Sequence, residues 1–90
     1  MNTKELVNKV ATEHHVTQVA AKNIVDTVFG TITKEVSKGH DVRVSGFGIF
    51  ERRARKARVG RNPQTGESVQ VPAKKYPKFR PASEFRGSVK

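Results

Sequence analysis

The residues of this chain that could do chemistry are cations. Between Glu51 and Gly60 stand Arg52, Arg53, Arg55, Lys56 and Arg58, separated only by Ala54, Ala57 and Val59, and Arg61 follows. Lys74, Lys75, Lys78 and Arg80 make a second basic run. Charges at this density cannot enter a core unpaired, and the small residues between them leave almost nothing to bury. What they can do is neutralise a polyanion. Residues 41–90 carry 13 Lys and Arg against 4 acids, whereas residues 1–40 carry 5 against 4, so nearly all of the net charge of +10 lies in one half. A field concentrated in this way attracts a phosphate backbone.

Other chemistries lack their residues. The absence of Cys excludes a disulfide framework and a Cys-based zinc site, and it fits an intracellular protein. His14 and His15 point in different directions on a helix with only Glu13 near them, so no metal or other cofactor is expected. Ser45, Ser68 and Ser83 stand in no recognisable relation to a His and a carboxylate, and the chain is read as non-enzymatic, with no small-molecule substrate. Gly46 and Gly48 flank Phe47 without a GxGxxG pattern or a Walker Lys; they are expected to permit a tight turn and a close backbone approach. No run of about twenty apolar residues exists, and Met1–Glu5 has no signal-peptide core behind it, so the chain is expected to be soluble and unexported.

The elements that must position the cations can be read from periodicity. Arg61-Asn62-Pro63-Gln64-Thr65-Gly66 has the composition of a tight reversal. Ser68-Val69-Gln70-Val71 then alternates as a strand does. Residues 52–75 are therefore read as a long, thin β-hairpin arm with Asn62-Pro63 near its tip, each limb of about ten residues spanning roughly 33 Å. A two-stranded ribbon is marginal in water, so the arm is expected to be mobile until it meets a partner, and duplex DNA has grooves that admit a ribbon. Asp41–Val44 reads as a first strand, reversed at Ser45-Gly46, with Phe47, Ile49 and Phe50 expected to pack under the second helix. Pro72 and Pro77 demand an edge strand or a bulge. Phe79 is the expected inward anchor, and Tyr76 packs on the edge in preference to stacking on a base. A terminal helix over Glu84–Val89, with Phe85 and Val89 four apart, is expected to close the core.

Upstream, Asn2 and Glu5 suit a capping box, and Leu6, Val7, Val10 and Ala11 share one face of a short helix. Thr17 suits the cap of a second helix bearing Ala21, Ile24, Val25, Val28, Phe29, Ile32 and Val36 at helical spacing, stopped by Gly39. That stripe is longer than the first helix can cover, and a second copy presenting the same stripe is the simplest cover. The fold class is thus a single α+β domain over residues 1–90. Residues 1–40 form an N-terminal helical hairpin serving dimerisation. Residues 41–90 form a three-stranded antiparallel sheet with a long β-ribbon arm and a short C-terminal helix.

Gly46-Phe47-Gly48 and Gly60-Arg61-Asn62-Pro63-Gln64-Thr65-Gly66-Glu67, with Phe79-Arg80-Pro81 downstream, resemble the bacterial histone-like HU and integration host factor family. The resemblance covers all ninety residues without an obvious gap. It implies an intertwined homodimer whose two arms embrace double-stranded DNA through the minor groove, in a cytoplasmic, nucleoid-associated protein that bends DNA and helps condense the chromosome. On this resemblance Pro63 matches the tip proline that wedges between base steps, a residue that its own context shows only as a turn former. Arg61 and Asn62 match the residues beside it, Arg53, Arg55 and Arg58 match arm positions facing DNA, and Lys74, Lys75 and Arg80 match the basic saddle. Ile24, Val25, Val28, Phe29, Ile32, Phe47, Phe50 and Phe79 are assigned to the dimer core.

Thr3, Gln18 and Ser83 depart from the Lys that many members carry there, which shortens the expected flanking footprint, and Arg86 and Lys4 compensate only in part. Within the family, a sequence-preferring role like that of integration host factor is the alternative, because indirect readout leaves no base-reading signature. An RNA-binding structural protein is the alternative of another class, poorly supplied with stacking aromatics beyond Tyr76 and Phe79. A membrane partner is not expected, since the charge lies on a ribbon and not on an amphipathic helix.

Overall fold

The structure, a computed structural model, describes residues 1–89. Eight elements follow in order: α1 (Thr3–His14), α2 (Gln18–Ser37), β1 (Val42–Val44), β2 (Gly48–Arg55), β3 (Arg58–Arg61), β4 (Ser68–Val71), β5 (Lys74–Pro81) and α3 (Ser83–Ser88). The chain divides into two compact units, Met1–Lys34 and the part from Glu35 onward.

In the first unit Asn2 and Thr17 cap the two helices as expected, although of the capping box only the Asn2 half forms. The Asn2 side chain accepts the Glu5 amide at 2.9 Å, and Thr17 Oγ1 accepts the Ala20 amide at 3.1 Å, each satisfying a donor that a helix start leaves free. Between them α1 ends at His15, whose left-handed backbone (φ 54°) returns its N–H to the Ala11 carbonyl. The two helices enclose Val7, Ala11, Ala21 and Val25, with Leu6, Val10 and Val16 packed at the margin. These are small side chains. Ile24, Val28 and Phe29 of α2 remain 48%, 50% and 51% exposed, and among the described residues no large side chain is fully buried.

The second unit begins with the end of α2. Gly39, at φ 91°, turns the chain, its amide bonded to the Val36 carbonyl and that of His40 to Glu35. Arg52 donates to the Ser37 carbonyl at 3.3 Å. The three-stranded antiparallel sheet has the order β1-β2-β5, so Pro77 lies on an edge strand, where a missing donor is tolerated. The ladder of β2 and β5 runs from Gly48↔Pro81 to Arg55↔Lys74 and stops. After two residues on either side, Lys56-Ala57 and Pro72-Ala73, a separate β3–β4 ladder runs from Arg58↔Val71 to Arg61↔Ser68.

Apolar packing here is aromatic. Phe50 and Phe79, opposite each other in register, have ring centroids 4.8 Å apart, and Phe47 lies 5.1 Å from Phe79. Phe85 of α3 stacks on Phe47 at 5.0 Å and 24°. Val89 does not join it: the residue follows α3 in an extended conformation and is 68% exposed, so the expected pair closes the aromatic cluster through Phe85 alone. The Phe79 ring packs onto bare backbone at Gly48. A Cβ there would lie 2.5 Å from the ring and 2.6 Å from the Arg80 carbonyl oxygen. The two glycines around Phe47 thus divide the expected jobs, since Gly46 (φ 76°) makes the turn and Gly48 allows the approach.

Gly48→Ala is therefore expected to destabilise the fold by about 1–3 kcal/mol through overpacking. Gly87→Ala, in a helix with nothing within 4 Å of the new methyl group, should be neutral or slightly stabilising. Chemical denaturation of both variants checks the contrast, and equal stabilities would remove the packing role of Gly48.

Candidate nucleic-acid interface

Alternation along a strand assigns each cation to a face. On one face of the β2–β5 ladder lie Ile49, Glu51, Arg53 and Arg55, opposite Arg80, Lys78, Tyr76 and Lys74 respectively. The other face carries Gly48, Phe50, Arg52 and Ala54, opposite Pro81, Phe79, Pro77 and Lys75. Of the residues singled out from sequence, Arg53, Arg55, Lys74 and Arg80 therefore share one basic face, and Lys75 belongs to the face of the Phe50–Phe79 pair. In the β3–β4 ribbon Arg58 and Arg61 fall on opposite faces, and both are exposed. Arg55 also donates to the Pro72 carbonyl at 3.2 Å, a bond across the gap between the ladders.

The tip is closed by backbone bonds, Asn62 N–H to the Glu67 carbonyl at 2.8 Å and Gly66 N–H to the Asn62 carbonyl at 2.7 Å. Asn62 Oδ1 accepts the Gln64 amide at 2.9 Å, and Gly66 takes φ 76°. Pro63 sits exposed inside this braced turn.

Sequence reasoning missed Glu51. It is the one buried charged residue among those described, 7% exposed in a strand whose neighbours are cations. Its Oε2 accepts from Arg53 Nε at 2.8 Å, and its Oε1 pairs with Arg80 Nη2. Burial works to raise the Glu51 pKa, but the hydrogen bonds from Arg80 and Arg53 and the charges behind them outweigh it, holding the carboxyl below the ordinary glutamate range. The signal was available in the period of two: Glu51 and Arg53 must share a face. Arg80, which its charge alone would leave largely solvated, has its head half exposed and anchored at one end. Among the described residues no group of His, Asp and Glu could hold a metal ion, and no helix is long and apolar enough to cross a membrane.

Comparison with known proteins gives a consistent match. A sequence model of the family described as bacterial DNA-binding protein matches residues 1–90. The DNA-binding protein HU of Geobacillus stearothermophilus is 47% identical over 90 residues, the full length of both chains. That of Staphylococcus aureus is 43% identical over 90 residues, again covering both. Among solved structures, Anabaena HU in its cocrystal with DNA has a TM-score of 0.88 at 44% identity, covering 99% of this chain and 97% of that one. HU from Thermotoga maritima has a TM-score of 0.69 at 31% identity, covering all of both chains.

The Glu51 cluster sets a pH dependence. Because the folded pKa is depressed, the stabilisation is present above the ordinary glutamate value and is lost as pH falls below it and through the folded one. Glu51→Gln should lower stability at neutral pH, with the difference from the parent shrinking as the solution is acidified. Denaturation midpoints across that range provide the check, and a difference independent of pH would remove the ionic role.

Proposed function

Because this chain belongs to the bacterial DNA-binding protein family, we propose that it is a non-catalytic architectural protein that grips duplex DNA with little sequence preference, bends it and helps compact the chromosome. The observation that carries this reading is the β3–β4 ribbon, which has no core of its own and exposes Arg58 and Arg61 on opposite faces. Such a ribbon can lie in a groove and meet both walls. Arg53, Arg55, Lys74 and Arg80 extend the charge along one face of the β2–β5 ladder, where they would neutralise phosphates on the approach to the groove. Lys75 supports the saddle from the opposite face. The cocrystallised relative supports DNA as the partner.

At the tip, Pro63 is held in a turn braced by the Asn62 and Gly66 bonds. It has no charge and no donor, so its contribution would be a stiff apolar edge inserted between base steps. Arg61 would hold the tip against the backbone while Asn62 keeps the turn in shape. Unstacking costs least at nicks, mismatches and flexible steps, which gives a preference without base reading.

A second copy of the chain completes the protein in this proposal. Ile24, Val28 and Phe29, each about half exposed, form the unmet part of the α2 stripe around buried Val25 and half-buried Ile32. In the second unit, taken by itself, Phe47 is 41% exposed beside Phe50 and Phe79 and offers apolar area of its own. A fold whose only buried apolar residues are Val7, Ala11, Ala21, Val25 and Val36 among those described gains too little to stand alone. Sedimentation should find a dimer at every workable concentration, and a stably folded 10.0 kDa monomer would count against this cover.

The two jobs of the arm can be separated. With about six to eight phosphates neutralised per dimer, log K should fall against log[salt] with a slope of roughly −5 to −7. Replacing Arg55, Arg58 or Arg61 by Ala should weaken binding to every duplex and flatten the slope by about one for each phosphate no longer neutralised. Pro63→Ala should leave the slope nearly intact, yet reduce bending and the preference for nicked over intact DNA. End-to-end fluorescence transfer on a labelled duplex and the nicked-to-intact affinity ratio read this out. If both stay at parental values in a folded dimer, Pro63 is a turn residue only.

A further inference from the structure

We propose that Glu51 is the positioning residue of the basic face, its two carboxylate oxygens fixing the guanidinium groups of Arg53 and Arg80 side by side as one preformed phosphate-binding pair. The inference rests on the DNA-binding reading above and names a residue that this reading leaves idle. An acid inside a surface meant for a polyanion is at first sight a liability, since it cancels charge and repels phosphate. Its placement resolves this. Glu51 is 7% exposed, whereas the arginine side chains it holds are 48% and 53% exposed, so the negative group lies beneath and the positive groups face out.

Register explains how one carboxylate reaches both. Arg53 is two residues along β2 on the same face, and Arg80 pairs with Ile49, which puts it diagonal to Glu51 across the ladder. Lys78 is directly opposite Glu51, yet both carboxylate oxygens are taken by arginines. That choice matters chemically. A guanidinium has five donors, so each arginine can give one N–H to Glu51 and still offer others to a phosphate oxygen, whereas an ammonium is a point charge without a fixed fork. The two long side chains thus lose their rotational freedom on folding and not on binding.

The proposal predicts an effect opposite in sign to simple charge counting. Glu51→Gln removes a negative charge, which by electrostatics alone should tighten binding and steepen the salt dependence. It also turns an amide N–H₂ toward one of the two guanidinium groups, donor against donor, and so releases the pair. Affinity for a short labelled duplex, read by fluorescence anisotropy over a salt series in folded protein, should fall roughly five- to twenty-fold. In a background already carrying Arg53→Ala and Arg80→Ala, the same substitution should no longer weaken binding, since only the charge effect is left and its sign is toward tighter binding. Binding by Glu51→Gln that equals or exceeds the parent's would overturn the positioning role while leaving DNA binding in place. Failure of the parent itself to bind, or a parental salt slope near zero, would instead overturn the reading on which the inference rests.

A second variant covers the case in which Glu51→Gln does not fold. The double replacement Arg53→Lys, Arg80→Lys keeps the net charge and Glu51 but loses both forks. It should also bind several-fold more weakly at every salt concentration with a parental slope. Parental affinity in this variant would overturn the proposal.

Discussion

Charge density without apolar company is the constraint on which the rest of this structure depends. Between residues 52 and 61 the chain carries six cations and no apolar side chain larger than Val59. Such a segment cannot be sequestered, so its backbone groups must be satisfied at the surface, and a two-stranded ladder does this with the least ordered chain. All packing then falls to what remains. In the second unit that is four phenylalanines, which gather around Phe79 and use Gly48 as the floor for its ring. In the first it is a set of Ala and Val side chains, with the larger apolar residues of α2 turned outward.

The same constraint explains why the ladder is interrupted. β2 and β5 stay paired through eight positions because Phe50 and Phe79 anchor one end and the Glu51 cluster ties the middle. Past Arg55 neither kind of support exists, Pro72 removes a donor, and pairing lapses for two residues on each side. Arg55 bridges part of this gap through the Pro72 carbonyl. The ribbon beyond is held by its own short ladder and by the tip bonds of Asn62 and Gly66.

Much of this is legible in the chain itself. The caps at Asn2 and Thr17, the stop at Gly39, the reversal at 61–66 and the edge position of β5 all follow from local chemistry whose partners lie within a few residues. What is illegible is nonlocal. That Arg80 reaches Glu51, that Arg55 bonds to the Pro72 carbonyl, and that Lys74 and not Lys75 shares the face of Arg53 and Arg55 all depend on the β2–β5 register, which composition does not encode. Val89 departs from expectation for a different reason. The spacing from Phe85 is right for a helix, but α3 stops at Ser88, so the fourth residue leaves the face it would have shared.

In the proposed role, the tip's chemistry indicates where selectivity comes from. Base reading requires side-chain donors and acceptors held free toward the groove, and the Asn62 side-chain oxygen is already committed to the Gln64 amide. Pro63 offers neither side-chain donor nor acceptor. The charges behind the tip meet phosphates that every sequence shares. With Arg61 assigned to the backbone in this proposal, discrimination would rest on the energy of deforming the duplex, met with binding free energy gathered along the arm and the β2–β5 face. A preformed Arg53–Arg80 pair serves that division of labour, because a contact that loses little entropy on binding leaves more of its free energy for bending. On this proposal the acid buried among the cations would support binding to a polyanion, which a count of net charge alone would not reveal.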